Sequence, residues 1–213
     1  MEVKESGTVK TANKQKMNRD SACGSEDCEM KMIEEIRDEL KKMDKQATCL
    51  FILSLLGRQK NMFDKIAYIN GWEGTEIIDR VFACVKSNVY EEQNLVYEEG
   101  VERTGIEYLG WETEEINMQI VNTFLDNLFA FVWMLQDKQN IDYAFPQCNF
   151  DLLESLIMNE IGWENANEEV IAANQHVQLE YTREKRDLEQ IQKKTYLFET
   201  DNEMLIPFPF CLK

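Results

Sequence analysis

The feature that most constrains this chain is an apolar stripe near its middle. Ile116, Ile120, Phe124, Leu128, Phe131 and Leu135 recur at spacings of four, four, four, three and four. That period puts all six on one face of an α-helix, and the face must be buried against other elements. The pattern predicts a helix from about Thr113 to Gln136. Its second half, Leu128 to Leu135, is apolar all round, as expected of a central helix surrounded by others.

A helical chain needs few turns, and the sequence supplies few turn residues. It has nine Gly and three Pro in 213 residues, too few for a many-turned β-sandwich. Apolar residues make up 44%, enough for a core, so general disorder is excluded. The expected fold is all-α: a single compact multi-helix domain around a buried central helix, over residues 26–204. Residues 1–25 read as a flexible tail, polar and slightly basic, with five bases against three acids. Residues 205–213 read as an extended apolar C-terminal strap, because Pro207 and Pro209 exclude a regular helix.

Other helices follow from local signals. Ser25 offers an N-cap, and Met32, Ile36, Leu40 and Met43 continue at helical spacing. The segment runs on through Cys49 to Leu56 as one helix, or as two broken near Asp44–Gln46, with Gly57 as its stop. Phe145-Pro146 marks a loop before a short helix over about 149–159. Asn165 or Asn167 would cap a final helix reaching Lys194, with a narrow seam of Val170, Val177, Tyr181, Leu188 and Ile191.

Three Gly-Trp-Glu triplets, beginning at Gly71, Gly110 and Gly162, punctuate the chain. The first two continue as Glu76-Ile77 and Glu115-Ile116. In each, Gly would end a helix in the left-handed region, Trp would pack at the corner, and acids would begin the next helix. The unequal intervals, 39 and 52 residues, exclude a solenoid.

Chemistry-bearing motifs are sparse. No phosphate loop, zinc-protease helix or calcium loop occurs. Cys23 and Cys28 form a close pair, but His176 is the sole histidine and no second ligand pair completes a zinc site, so no metal is assigned. Cys49 and Cys84 read as core thiols, and His176 with Glu180 as a surface pair. The first residues lack the apolar core of a signal peptide, and no apolar run approaches the roughly 20 residues of a spanning helix. These features predict a cytoplasmic protein.

Two acidic sets suggest a catalytic alternative. Glu34, Glu35, Asp38 and Glu39, with Glu76 and Asp79, place carboxylates on adjacent helical turns. On facing helices they could hold magnesium (Mg) against a triphosphate. The arrangement resembles the all-α nucleotide pyrophosphohydrolases. Asp126 shares one side of the central helix with Asn122, Phe129 and Trp133, so it is expected as a buried polar anchor with a hydrogen-bonding partner.

The same helix resembles a bacterial family of unknown function, whose stretch runs Trp-Arg-Tyr-Glu-Ala-Leu-x-x-Leu-Leu-Trp-Ala-Leu-Gly, then a Pro-containing loop and a Cys-Asp step. Here the run is Thr123 to Gln136, followed by Phe145-Pro-Gln-Cys-Asn149. Asp126 takes the acidic position, Trp133 the second tryptophan and Cys148 the later cysteine, while Thr123 and Gln136 depart from the pattern. The resemblance implies a helical fold and no activity.

Charge gives the functional expectation. Formal net charge is −17, and residues 71–182 hold 22 acids and four bases. Such a field opposes nucleic-acid phosphates and anionic membranes, and it suits a basic protein partner. Glu91, Glu92, Glu98, Glu99 and Glu102 are the expected partner-binding acids. The leading expectation is a noncatalytic protein-binding module of inhibitor or immunity type. The magnesium-dependent pyrophosphohydrolase is the alternative, and a subunit anchored by its C-terminal strap is a third.

Overall fold

Asp44 divides the first apolar segment in two. A computed structural model describes residues 28–91, 110–137, 145–196, 198 and 203–206. In it α1 (Cys28–Leu40) ends before a short turn, and the Asp44 side chain accepts from the Ala47 N–H at 2.8 Å to start α2 (Lys45–Asn70). That bond satisfies one of the amide donors every helix leaves open at its start. Further along are α3 (Glu76–Glu91), α4 (Glu115–Asp137), α5 (Phe145–Ile161), α6 (Glu168–Ala173) and α7 (Gln175–Gln192). The described residues are therefore helical and joined by corners, and the all-α expectation holds.

The centre of the bundle is α2. Every residue from Phe51 to Gln59 is buried, and α3, α4, α5 and α7 all pack on this helix. Gly57 does not stop it. The helix passes through Gly57 because the missing side chain leaves room for the Phe198 ring, which a Cβ there would approach to 2.7 Å. The stop comes at Gly71, with φ 63°, whose N–H returns to the carbonyls of Ala67 and Tyr68.

The predicted stripe is buried as α4, with Ile120, Phe124, Leu128, Phe131 and Leu135 in the core and Ile116 at its edge. The helix is not apolar-packed all round, however. Asn122, Asp126, Ala130 and Trp133, spaced four, four and three, form an outward face, and Trp133 is 65% exposed. By length and composition Glu115–Gln136 is long and apolar enough to cross a membrane, but 56% of the window that qualifies is buried inside the bundle.

Two further expectations are revised. The loop at Phe145-Pro146 is the first turn of α5, where proline's missing N–H costs no helical bond. The final helix is two: Asn167 caps α6 as expected, and Asn174 breaks the run and caps α7 by accepting from the His176 N–H. A smaller core joins Ile36 and Leu40 of α1, Phe51 and Leu55 of α2, and Leu188 and Ile191 of α7. Leu205 and Ile206 are buried in the main core, so the described start of the C-terminal strap lies on the domain itself. Residues 1–25 and 207–213 lie outside the described residues.

Candidate functional site

Two of the Gly-Trp-Glu corners clasp each other. Trp72 and Trp111 stack face to face, with ring centroids 5.2 Å apart and planes 5° from parallel. The indole N–H of Trp72 donates to the Glu112 carbonyl at 3.3 Å, and that of Trp111 donates to the Glu73 carbonyl at 2.9 Å. Phe63 of α2 lies against both rings. The equal spacing of the two motifs explains the reciprocity: each Gly takes positive φ, each Trp follows it, and each helix starts five residues after its Gly. The third corner repeats the glycine, with φ 84° at Gly162, but not the packing, because Trp163 is 70% exposed.

All three corners meet at one end of the bundle. The tryptophan clasp joins the end of α2 to the start of α4. The end of α5 lies beside that same start: the Gln119 side chain donates to Ser155, and Asn159 donates back to Gln119 at 3.1 Å. The first corner carries Glu73, Glu76 and Asp79, and the second Glu112, Glu114 and Glu115. The third carries Glu160, Glu164, Glu168 and Glu169. These segments, 71–79, 110–118 and 159–170, thus hold ten acids with no Lys or Arg, and all ten side chains are exposed. Set among them are the exposed apolar side chains of Tyr68, Ile69, Trp163 and Val170.

A second polar assembly is buried in the bundle. Arg58 of α2 is fully enclosed; its Nε donates to Glu180 at 2.9 Å and its Nη1 to Asp187 at 2.6 Å, both on α7. Asn149 of α5 also donates to Glu180, and its carbonyl oxygen accepts from Gln59, which accepts in turn from Asn127 of α4. Glu184, on the same face of α7, is wholly buried, and burial first, then the neighbouring Glu180 carboxylate, pushes it well above the ordinary glutamate range. Burial works against the Arg58 charge, but the Glu180 and Asp187 carboxylates outweigh it and hold the guanidinium ionised.

The rim of this network ties down the chain after α7. Arg186 holds Glu203 with two bonds, at 3.1 and 2.9 Å, and Asp187 with 2.8 Å. Arg183 donates to the Met204 carbonyl and Asn61 to the Glu203 carbonyl. With a proton on Glu184, the three arginines face three carboxylates, Glu180, Asp187 and Glu203, and the network is neutral. Its chemistry is that of a structural lock, because the ionised groups are committed to one another and to the backbone.

The predicted site residues are placed as follows. Asp126 is not a buried anchor but lies on the exposed face of α4; the helix turns its neighbour Asn127 inward, and that side chain makes the bond to Gln59. Glu180 is not a surface partner of His176, since Arg58 and Asn149 hold it inside. Cys49 is buried and its thiol is pushed up to about 11 by that burial, whereas Cys84 is exposed because Val81, Phe82 and Val85 take the inward side of α3.

The acids of the magnesium alternative are spread over different contacts. Glu35 accepts from Tyr181 and Lys185 of α7, while Asp38 and Glu39 pair with Lys41 and Lys42. Glu34 is exposed, as is Glu76; Asp79 is bound by Lys60 at 2.6 Å. Thus α1 carries its acids toward α7, and α3 carries Asp79 toward α2. Among the described residues no group of three or more His, Cys, Asp or Glu side chains is arranged to hold a metal ion. Of the expected partner-binding acids, Glu91 is the last residue of α3, and Glu92, Glu98, Glu99 and Glu102 lie outside the described residues.

The buried network escaped sequence reading although its signal was present. Glu180, Glu184 and Asp187 fall at the same helical phase as Val177, Leu188 and Ile191, and Arg58 interrupts an otherwise apolar run. Comparison with family models, curated proteins and solved structures finds no match for this chain.

Proposed function

We propose that this chain is a noncatalytic cytoplasmic protein-binding module, of inhibitor or immunity type, that engages a basic partner through the acidic end of its bundle. One observation carries the reading: three corners separated in sequence bring ten acids to one end, one of them, Asp79, bonded to Lys60, around exposed Tyr68, Ile69 and Trp163. Like charges so gathered repel one another and weaken the fold, which a purely structural surface has no need to do. Facing a basic protein, the same charges steer encounter and select the partner, and the apolar side chains supply contact area once water is expelled.

Removing five of the seven acids of the second and third corners tests the proposal, with Glu112→Gln, Glu114→Gln, Glu115→Gln, Glu160→Gln and Glu164→Gln combined in one variant. The native chain should retain basic proteins from a lysate at low ionic strength and release them at about 1 M salt, where the screening length falls to ~3 Å. The variant should retain few of them. Retention unchanged by salt and by the substitutions would overturn the reading.

A further inference from the structure

The inward face of α7 carries a charge imbalance. Among the described residues the buried charged side chains are Arg58, Glu180, Glu184 and Asp187, one base against three acids. Arg58 bonds to two of the acids, Glu180 and Asp187. No N–H or O–H among the described residues donates to either oxygen of Glu184, and neither oxygen reaches solvent. An ionised carboxylate is not sustained in such a place without a cation or donors, so the geometry itself requires a proton on Glu184.

We propose that this face of α7 is a proton-controlled latch for the chain at 203–206. The proton on Glu184 keeps that segment seated, and its loss sets the segment free. The latch does not depend on the acidic end of the bundle being a docking surface.

Two arginines connect the buried face to the segment. Arg183 stands 3.9 Å from Glu180, reaches Glu203 at 3.3 Å and donates to the Met204 carbonyl at 2.9 Å. Arg186 meets Asp187 at 2.8 Å and Glu203 at 2.9 Å. The same cations therefore serve the interior and the segment. Among the described residues no backbone-to-backbone bond secures 203–206. Its attachments there are these arginines, the Asn61 bond to the Glu203 carbonyl and the burial of Leu205 and Ile206.

Losing the Glu184 proton sets three arginines against four carboxylates. Glu203 is the member of that set that water can serve, with 35% of its side chain exposed, whereas Glu180 and Asp187 expose none. The least costly relief is for Arg183 to turn inward, giving up the Met204 carbonyl and Glu203 to solvent. The charged groups that face Glu184 are Arg58 of α2 with Glu180 and Asp187 of its own helix. From α5 comes the uncharged Asn149. On α1, Glu35 turns to Tyr181 and Lys185 and Arg37 to Gln147, and the acids of α6, Glu168 and Glu169, are exposed.

Carbon-13 NMR of the full chain from about pH 4 to 10 tests the latch, following the Glu184 carboxyl with the methyl groups of Leu205, Ile206 and, on α2, Leu53. Glu184 should titrate well above 4.5. Over the same interval the Leu205 and Ile206 methyls should move toward their unfolded positions while Leu53 stays. The freed population should rise about tenfold per pH unit there, as for linkage to one proton. In Glu184→Gln the Leu205 and Ile206 methyls should hold still throughout. A Glu184 carboxyl that titrates near 4.5, or methyls that stay fixed while it titrates, would overturn the proposal. So would methyl movement that persists in Glu184→Gln, following His176 or another group. Leu53 moving in step with Leu205 would also overturn it, because the whole bundle would then be opening. The curves of the native chain decide three of these outcomes without any substitution.

Discussion

Arg58 and Asp187 meet at 2.6 Å with neither side chain reaching solvent. A guanidinium so enclosed depends on its carboxylates, since an unpaired charge cannot recover its lost hydration inside the bundle. Replacing it with an apolar residue leaves Glu180 buried without the guanidinium bonded to it and leaves Asp187 with Arg186 alone. Arg58→Met is expected to lose about 3–5 kcal/mol of stability in urea unfolding. A loss below about 1 kcal/mol would mean that solvent reaches the network and that it is not a lock.

Glu184 gives the pH dependence its sign. Its carboxyl is raised in the folded chain from the ordinary 4.5, so the fold binds that proton more tightly than the unfolded chain does. The stability it contributes is complete below about 4.5 and is lost as pH rises through the folded value. Glu184→Gln keeps the shape of the side chain and removes the titration. Melting temperatures of the two chains should converge near pH 4, and the variant should melt higher at pH 8. Parallel curves across that range would show that Glu184 stays ionised in the fold. Glu203 has the opposite sign: Arg186 lowers it, so its contribution is present at neutral pH and fades as pH falls through its folded value.

Gly57 and Phe198 should be coupled. A methyl group at Gly57 gains about 1 kcal/mol of helix propensity, but it meets the Phe198 ring at 2.7 Å. Overpacking of this kind costs about 1–3 kcal/mol. Gly57→Ala is therefore expected to destabilise the native chain and to stabilise one that carries Phe198→Ala. A double-mutant cycle with no interaction energy would place the ring elsewhere.

The tryptophan clasp is expected to show pairwise energy of about 0.5–1.5 kcal/mol beyond what burial alone supplies. Trp72→Leu and Trp111→Leu, singly and together, measure it by urea unfolding. Additive losses would show that each indole packs on Phe63 independently of the other.

Much of the helical layout was legible because it is local. The stripe of α4, the caps at Asn167 and Gly71, and the corner glycines each follow from a few neighbouring residues. What was missed depends on partners far along the chain. Gly57 looks like a stop until Phe198 fills its groove, and Asp126 looks buried until Asn127 turns out to be the side chain that faces Gln59. The buried acids of α7 were hidden because glutamates at helical spacing normally mark a solvated face, and their common partner, Arg58, lies 122 residues before Glu180. The acidic field was visible as composition; its focus at one end required the corners to converge.

The arginine network also fixes where α7 can sit. Apolar helix faces tolerate sliding by a turn, because one aliphatic side chain replaces another at little cost. Here a slip of one turn along α2 in either direction would leave Arg58 one carboxylate, Glu184 in the place of Glu180 or of Asp187, and set Ile191 or Val177 where the other had been. The network therefore acts as a register pin, giving α7 a single seat on a bundle whose greasy surfaces alone would accept several.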